Sequence, residues 1–223
     1  MPQFDREKFF NHFRSLFGPL TQGQVDGLNF LLPRIEQDER LQDLNLAAYV
    51  LATVKHETAH TFQPIHELGS KHRFIRLYGP TTRVGKRLGN KTDADAIAFH
   101  GRGFVQLTGR KNYTRAKKEL GLNLVRKPDL ALQPENAYEI LVRGMIDGWF
   151  GRKVGVFIRP GLPPDFEGAR QSVNGHDRAG DIAQIARRMA EILRYAEYDS
   201  TPADDDSTPV DHDSTHWAPP PPI

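Results

Sequence analysis

The sequence predicts a mainly α fold of α+β type: one helical domain over residues 1–198, with a few short strands or loops forming a groove, and a disordered acidic, Pro-rich tail over 199–223. Three observations lead there. Apolar residues recur at three- and four-residue spacings between helix-capping residues over much of the chain, a middle stretch breaks that rhythm, and composition changes abruptly beyond Tyr198.

In chain order, Asp5 is placed to cap a helix whose Phe9, Phe10, Phe13 and Phe17 form an inward stripe, and Gly18 stops it. Thr21 and Gln24 have capping-box spacing before Val25, Leu28 and Leu31, and Pro33 marks the expected end of a second short helix. A third helix is expected from about Leu41. Its Leu46, Val50, Leu51 and Val54 form a stripe that Glu57 continues, three residues after Val54. Residues 62–90, rich in Gly, Pro, Arg and Lys with weak periodicity, read as loops with short strands. An extended segment then ends at Thr108, a candidate cap for a helix over about 109–120. Further helices are expected over 135–150, 164–172 and 178–198. In the last 25 residues DSTP occurs twice and the end is WAPPPPI, a composition that buries too little apolar surface to offset its ordering entropy.

Composition narrows the function classes. The 223 residues include no Cys, which excludes disulfides and thiolate metal sites. Mean hydropathy is −0.56 and the longest apolar run, Leu46 to Val54, is far too short to span a bilayer, so no membrane insertion is expected. The start MPQFDREKFF lacks the pattern of a secretory signal, which predicts synthesis in the cytoplasm and action at a cell wall or outside the cell after release by another route. The six Asp and no Lys or Arg of 199–223 leave residues 1–198 with 30 basic and 22 acidic side chains, or +8. Such a body favours encounter with a polyanion. Basic clusters at 71–91 and 110–118 contain no nucleic-acid motif, so no nucleic-acid partner is expected.

His56-Glu57-Thr58-Ala59-His60 matches HExxH, which on a helix presents two imidazoles for zinc and a glutamate as general base, the pattern of a metallopeptidase. A third ligand would have to come from His66, Glu67 or His72, none of them in a recognised downstream motif. The other reading pairs Glu57 with Glu67. A glycosidase needs one carboxylic acid to protonate the leaving oxygen and one carboxylate to activate water or attack carbon. Desolvation at the end of an apolar helix should favour the protonated form of Glu57, while Glu67, beside His66, Gly69 and Ser70, should be wetter and ionised.

The segment GRGFVQLTGRKNY at 101–113 separates the two readings. Gly101 and Gly103 permit close backbone approach, Arg102 offers a fork for a carboxylate, and Gln106, Thr108 and Asn112 carry short donors and acceptors suited to sugar hydroxyl and acetamido groups. Together with HET, a second Glu and the VNG at 173–175, this segment resembles the family 19 chitinase-like glycoside hydrolases, which include plant chitinases and phage endolysins. The resemblance runs over about residues 21–195. It implies a lysozyme-like fold, no metal or other cofactor, and inversion at the anomeric carbon. By the same resemblance Glu57 is the catalytic acid and Glu67 the general base. Gln106, Thr108, Asn112, Tyr113 and Asn174 hold the sugar, with Tyr113 equally suited to packing. His56 orients the acid and Arg102 supports the site.

Two departures refine the expectation. The interval between the two glutamates is shorter than in plant chitinases and similar to the endolysin type, which favours peptidoglycan over chitin as the amino-sugar polymer cut at its β-1,4 bonds. After VNG the chain reads HDRAGDIAQIARR, without the plant enzymes' GG and nearby glutamate, so their buried arginine network has no assigned place; Arg178, Arg187 and Arg188 are candidates. A monomer is expected. A chitinase is the alternative within the family, and a zinc metallopeptidase the distant one.

Overall fold

The computed structural model describes residues 2–198; the tail expected over 199–223 lies outside the described residues. Helix α3 (Leu44–Glu57) is the element around which the others are laid. The Asp43 carboxylate caps it, accepting from the N–H groups of Asn45 and Leu46 at 2.8 and 3.1 Å. Every residue from Ala47 to Lys55 is buried, so the inward stripe read from the sequence widens to the whole circumference, as in a helix enclosed by its domain. Its main partner is α9 (Ala179–Ala196), where Ala183, Ala186 and Ala190 lie among the buried residues and let the two helices approach. Helix α1 (Arg6–Phe17), capped by Asp5 as expected, also packs on α9. The Asp5 N–H donates to the Ala196 carbonyl at 2.7 Å and the Tyr198 N–H to the Gln3 carbonyl at 2.9 Å, so both ends of the described chain are held together.

Four local expectations are corrected. Helix α2 (Gln22–Gln37) opens with the Thr21–Gln24 capping box but runs on through Pro33. Burial of Leu31, Leu32 and Ile35, each worth about 1.5–3 kcal/mol, outweighs the roughly 3 kcal/mol that an interior proline costs. The 62–90 stretch holds two helices, α4 (Lys71–Tyr78) and α5 (Arg83–Arg87), with Ser70 and Thr82 accepting from the N–H groups of Arg73 and Gly85. In α4 only Phe74 is buried, which is why its periodicity is faint in the sequence. The 164–172 segment is reduced to a 3-10 turn at Gly168–Ser172. Helix α7 (Arg110–Leu120) is preceded by Gly109, not capped by Thr108. Gly109 has φ +87° and a side chain there would meet Leu88 Cβ at 2.5 Å, so conformation and space both demand glycine.

Two further helices complete the domain, α6 (Asp93–Ala98) and α8 (Pro134–Ile146). The one sheet among the described residues pairs β1 (Ile65–His66) with β2 (Arg102–Gly103) antiparallel, Ile65 opposite Gly103 and His66 opposite Arg102. This small ribbon carries Glu67 at its end. No described helix is long and apolar enough to cross a membrane.

Candidate active site

Glu57 is the last residue of α3, where the helix delivers its side chain into a cleft of about 490 Å³. Glu67, Gln106, Thr108, Asn112 and Asn174 line the same cleft. Six of the sequence-derived residues are thereby brought together from positions up to 117 residues apart.

The surroundings of Glu57 differ from the apolar pocket expected. Its Oε1 accepts from Nη1 of Arg170 at 2.6 Å, with the two side chains 14 % and 1 % exposed. Arg170 Nε donates to the Asp177 carbonyl at 2.8 Å, and the Arg170 carbonyl accepts from the N–H groups of Val173 and Asn174, each at 3.0 Å. One buried guanidinium therefore fixes both the carboxylate and the loop that bears Asn174. His56, expected to orient Glu57, makes no side-chain hydrogen bond among the described residues; its imidazole is held below its ordinary value, first by burial. The orienting contact comes from Arg170 instead, and Arg178, Arg187 and Arg188 lie elsewhere, with carboxylate or carbonyl partners of their own.

Glu67 is held by two donors. Tyr78 Oη donates to its Oε1 at 2.8 Å and the Gly101 N–H to its Oε2 at 3.0 Å, while its own N–H donates to the Gly101 carbonyl at 2.8 Å. Burial, then the bond to Glu67, pushes the Tyr78 hydroxyl up, so it remains a donor. Below Gly101 lies Arg102, which donates to the carbonyls of Ala98 and His100, to Tyr113 Oη and to Asp129 Oδ1. Tyr113 is fully buried on this support and cannot reach a ligand in the cleft, which corrects its sugar-holding role to packing.

The three short polar side chains spend their donors on the backbone. The Gln106 amide donates to the carbonyls of Ile65 and Gly103, Thr108 Oγ1 to the Gln106 carbonyl, and the Asn112 amide to the Thr108 carbonyl. The lone pairs of Gln106 Oε1, Thr108 Oγ1 and Asn112 Oδ1 remain, with the second N–H of the Asn112 amide, an array suited mainly to accepting hydrogen bonds from hydroxyl and acetamido N–H groups. Gln106 has φ +53°, a strained conformation for a residue with a side chain.

The zinc arrangement is not formed. Helix α3 ends at Glu57, and the chain turns through Ala59 and His60 at φ +49° and +69°, so His56 and His60 do not share a helix face. Among the described residues no three His, Asp or Glu side chains are grouped to hold a metal ion.

The architecture has known counterparts. Chitinase C from Streptomyces griseus superposes with a TM-score of 0.50 over 85 % of this chain and 78 % of that one, at 20 % identity. This is the fold of the family 19 chitinases. A bacterial family 19 chitinase aligns over 82 % of this chain and 93 % of its own at 19 % identity and a TM-score of 0.49. An endochitinase of Arabidopsis thaliana is 31 % identical over 101 residues, 44 % of this chain; the chain spans about a third of the length of that curated relative. No protein-family model matches the chain. Within the family 19 fold the sequence missed the residues that complete the cleft, among them Arg170, Tyr78, Trp149 and Phe150. Arg170 could have been sought upstream of VNG, but its weakly periodic surroundings carry no signal of a buried cation.

Proposed function

We propose that the protein is a glycoside hydrolase cutting the β-1,4 bonds of an amino-sugar polymer, with bacterial peptidoglycan as substrate and the cell wall as its place of action. The observation that carries the reading is the presence of Glu57 and Glu67 in one cleft, each held by its own set of donors. The acceptor array of Gln106, Thr108 and Asn112 supports an amino-sugar ligand, and the short interval between the glutamates supports peptidoglycan over chitin.

Arg170 occupies Oε1 of the Glu57 carboxylate, so the proton that Glu57 takes up for delivery to the bound sugar chain sits on Oε2, the oxygen Arg170 leaves free. As the bond breaks, Glu67 takes a proton from a water that attacks the anomeric carbon from the opposite face of the ring. The product is inverted. Tyr78 and the Gly101 N–H keep the base from rotating away from that water.

Release of reducing ends from purified peptidoglycan, with chitin oligomers in parallel, tests the reading. Wild type should act with or without a chelator, and Glu57→Gln, which keeps the side-chain shape and loses the donated proton, should lower turnover by at least about a hundredfold. Wild-type turnover in that variant would reject the acid assignment, and loss of reducing-end release with chelator would reject the metal-free mechanism. Proton NMR of the first-formed products should show inverted configuration; retained configuration would reject the single displacement.

A further inference from the structure

Residues 68–92 contain seven cations, Lys71, Arg73, Arg76, Arg83, Lys86, Arg87 and Lys91, and no Asp or Glu. All seven are exposed, and none has a carboxylate partner within ion-pair distance among the described residues. Arg6, Arg34, Arg40, Arg102, Arg143 and Arg170, by contrast, each lie against Asp or Glu. Leaving so many like charges unneutralised on one lobe works against compaction and implies a partner that supplies the opposite charge.

The lobe does not stand apart from the cleft. Arg87, at the end of α5, and Lys111, in the first turn of α7, line it beside Glu57 and Glu67. They are joined through the backbone, the Lys111 N–H donating to the carbonyl of Leu88 at 3.0 Å, and Gly89 packs on the Lys111 side chain. Trp149, Phe150 and Val173 also line the cleft, so its edge is basic at α5 and α7 and apolar at these residues. A chitin chain carries no charge and offers a basic edge only neutral hydrogen-bond acceptors. A peptidoglycan chain bears, on alternate sugars, peptide stems whose free carboxylates lie a few bonds from the ring.

We propose that Arg87 and Lys111 bind the stem-peptide carboxylates of the glycan strand held in the cleft, and that they set the preference for peptidoglycan over an uncharged amino-sugar polymer. The proposal rests on the reading of the cleft as an amino-sugar site. The remaining cations of α4 and α5 extend the same surface outward, where neighbouring stems of the strand would run.

Binding separates this proposal from the hydrolase reading. Soluble uncrosslinked glycan strands are prepared with native stems and with stem carboxyls converted to neutral amides, and their dissociation constants are measured on Glu57→Gln, with Glu67→Gln as a second non-hydrolysing background. Native strands should bind about three- to tenfold more tightly than amidated ones, the range expected of two exposed ion pairs. Adding Arg87→Gln and Lys111→Gln together should bring that ratio close to one, as should raising the salt concentration. A ratio of one in the parent, or a ratio unmoved by the double substitution, overturns the proposal. So does equally tight, Arg87- and Lys111-dependent binding of duplex DNA or of amidated strands, since the edge would then read polyanions or sugar and not stems. If wild type cleaves neither strand, the hydrolase reading fails, and the binding ratio still judges the carboxylate site.

Discussion

The Glu57–Arg170 pair joins a buried guanidinium to a largely enclosed carboxylate, and breaking such a pair costs more than its formation yields, because the remaining charge is left without a partner. Arg170→Met should therefore destabilise the protein by about 3 kcal/mol, a fall in Tm of roughly 6–12 °C for a domain of this size, measurable by thermal unfolding. In the Glu57→Gln background the same substitution should cost clearly less, since no carboxylate is stranded. Equal losses in the two backgrounds would show that Arg170 acts through packing and the Asp177 carbonyl alone. At this scale the sequence was legible where a residue type carries its own chemistry: Glu57, Glu67, Gln106, Thr108, Asn112 and Asn174 all face one cleft. It was silent on Arg170 because nothing local distinguishes a buried guanidinium from the many exposed ones. It left Tyr113 open between sugar and core, because its place in the motif and burial in the core are compatible with the same hydroxyl.

The β1–β2 ribbon is the element that aims the base. Its closest approach is at Gly101, where a side chain would meet Gln106 Oε1 at 2.6 Å and Glu67 Oε2 at 3.2 Å. Gly101→Ala should push both side chains out of place, lowering kcat by tenfold or more while KM for the sugar chain changes less, as steady-state kinetics on a soluble oligomer would measure. Unchanged kcat would mean that the ribbon yields without disturbing Glu67. Elements with a strong apolar rhythm, such as α1, α3 and α9, were readable from spacing and caps. Helices α4 and α5 were not, because each buries one residue and is held by its cap and its neighbours. Pro33 shows the same limit in reverse, a local stop signal overridden by the burial around it.

At the scale of the molecule, burial is the first cause holding the imidazoles of His56, His60 and His100 below their ordinary value. The unfolded chain therefore binds more protons than the folded one as pH falls below about 6.5, and stability declines from there until the lower folded values are passed. The His66–His100 contact adds a structural reason. His100 Nδ1 faces the Ile97 carbonyl at 2.7 Å and so carries hydrogen, leaving Nε2 to accept from His66 Nδ1 at 3.3 Å. Protonating His100 puts hydrogen on its Nε2 as well and opposes two N–H groups at this contact. Thermal unfolding at pH 7.5, 6.5 and 5.5 should give a falling Tm, with a smaller fall in His100→Gln; a Tm that rises on acidification would contradict the burial of these rings.

The hydrogen bonds that join Gln3 and Asp5 to Ala196 and Tyr198 close the described chain into a ring in all but covalent terms. The order of elements along the sequence is thus one of several cuts through the same cyclic arrangement. A short linker from Tyr198 to Gln3, with the chain opened at the exposed Gly161–Leu162 bond in a surface turn, would re-thread the molecule without moving a residue of the cleft.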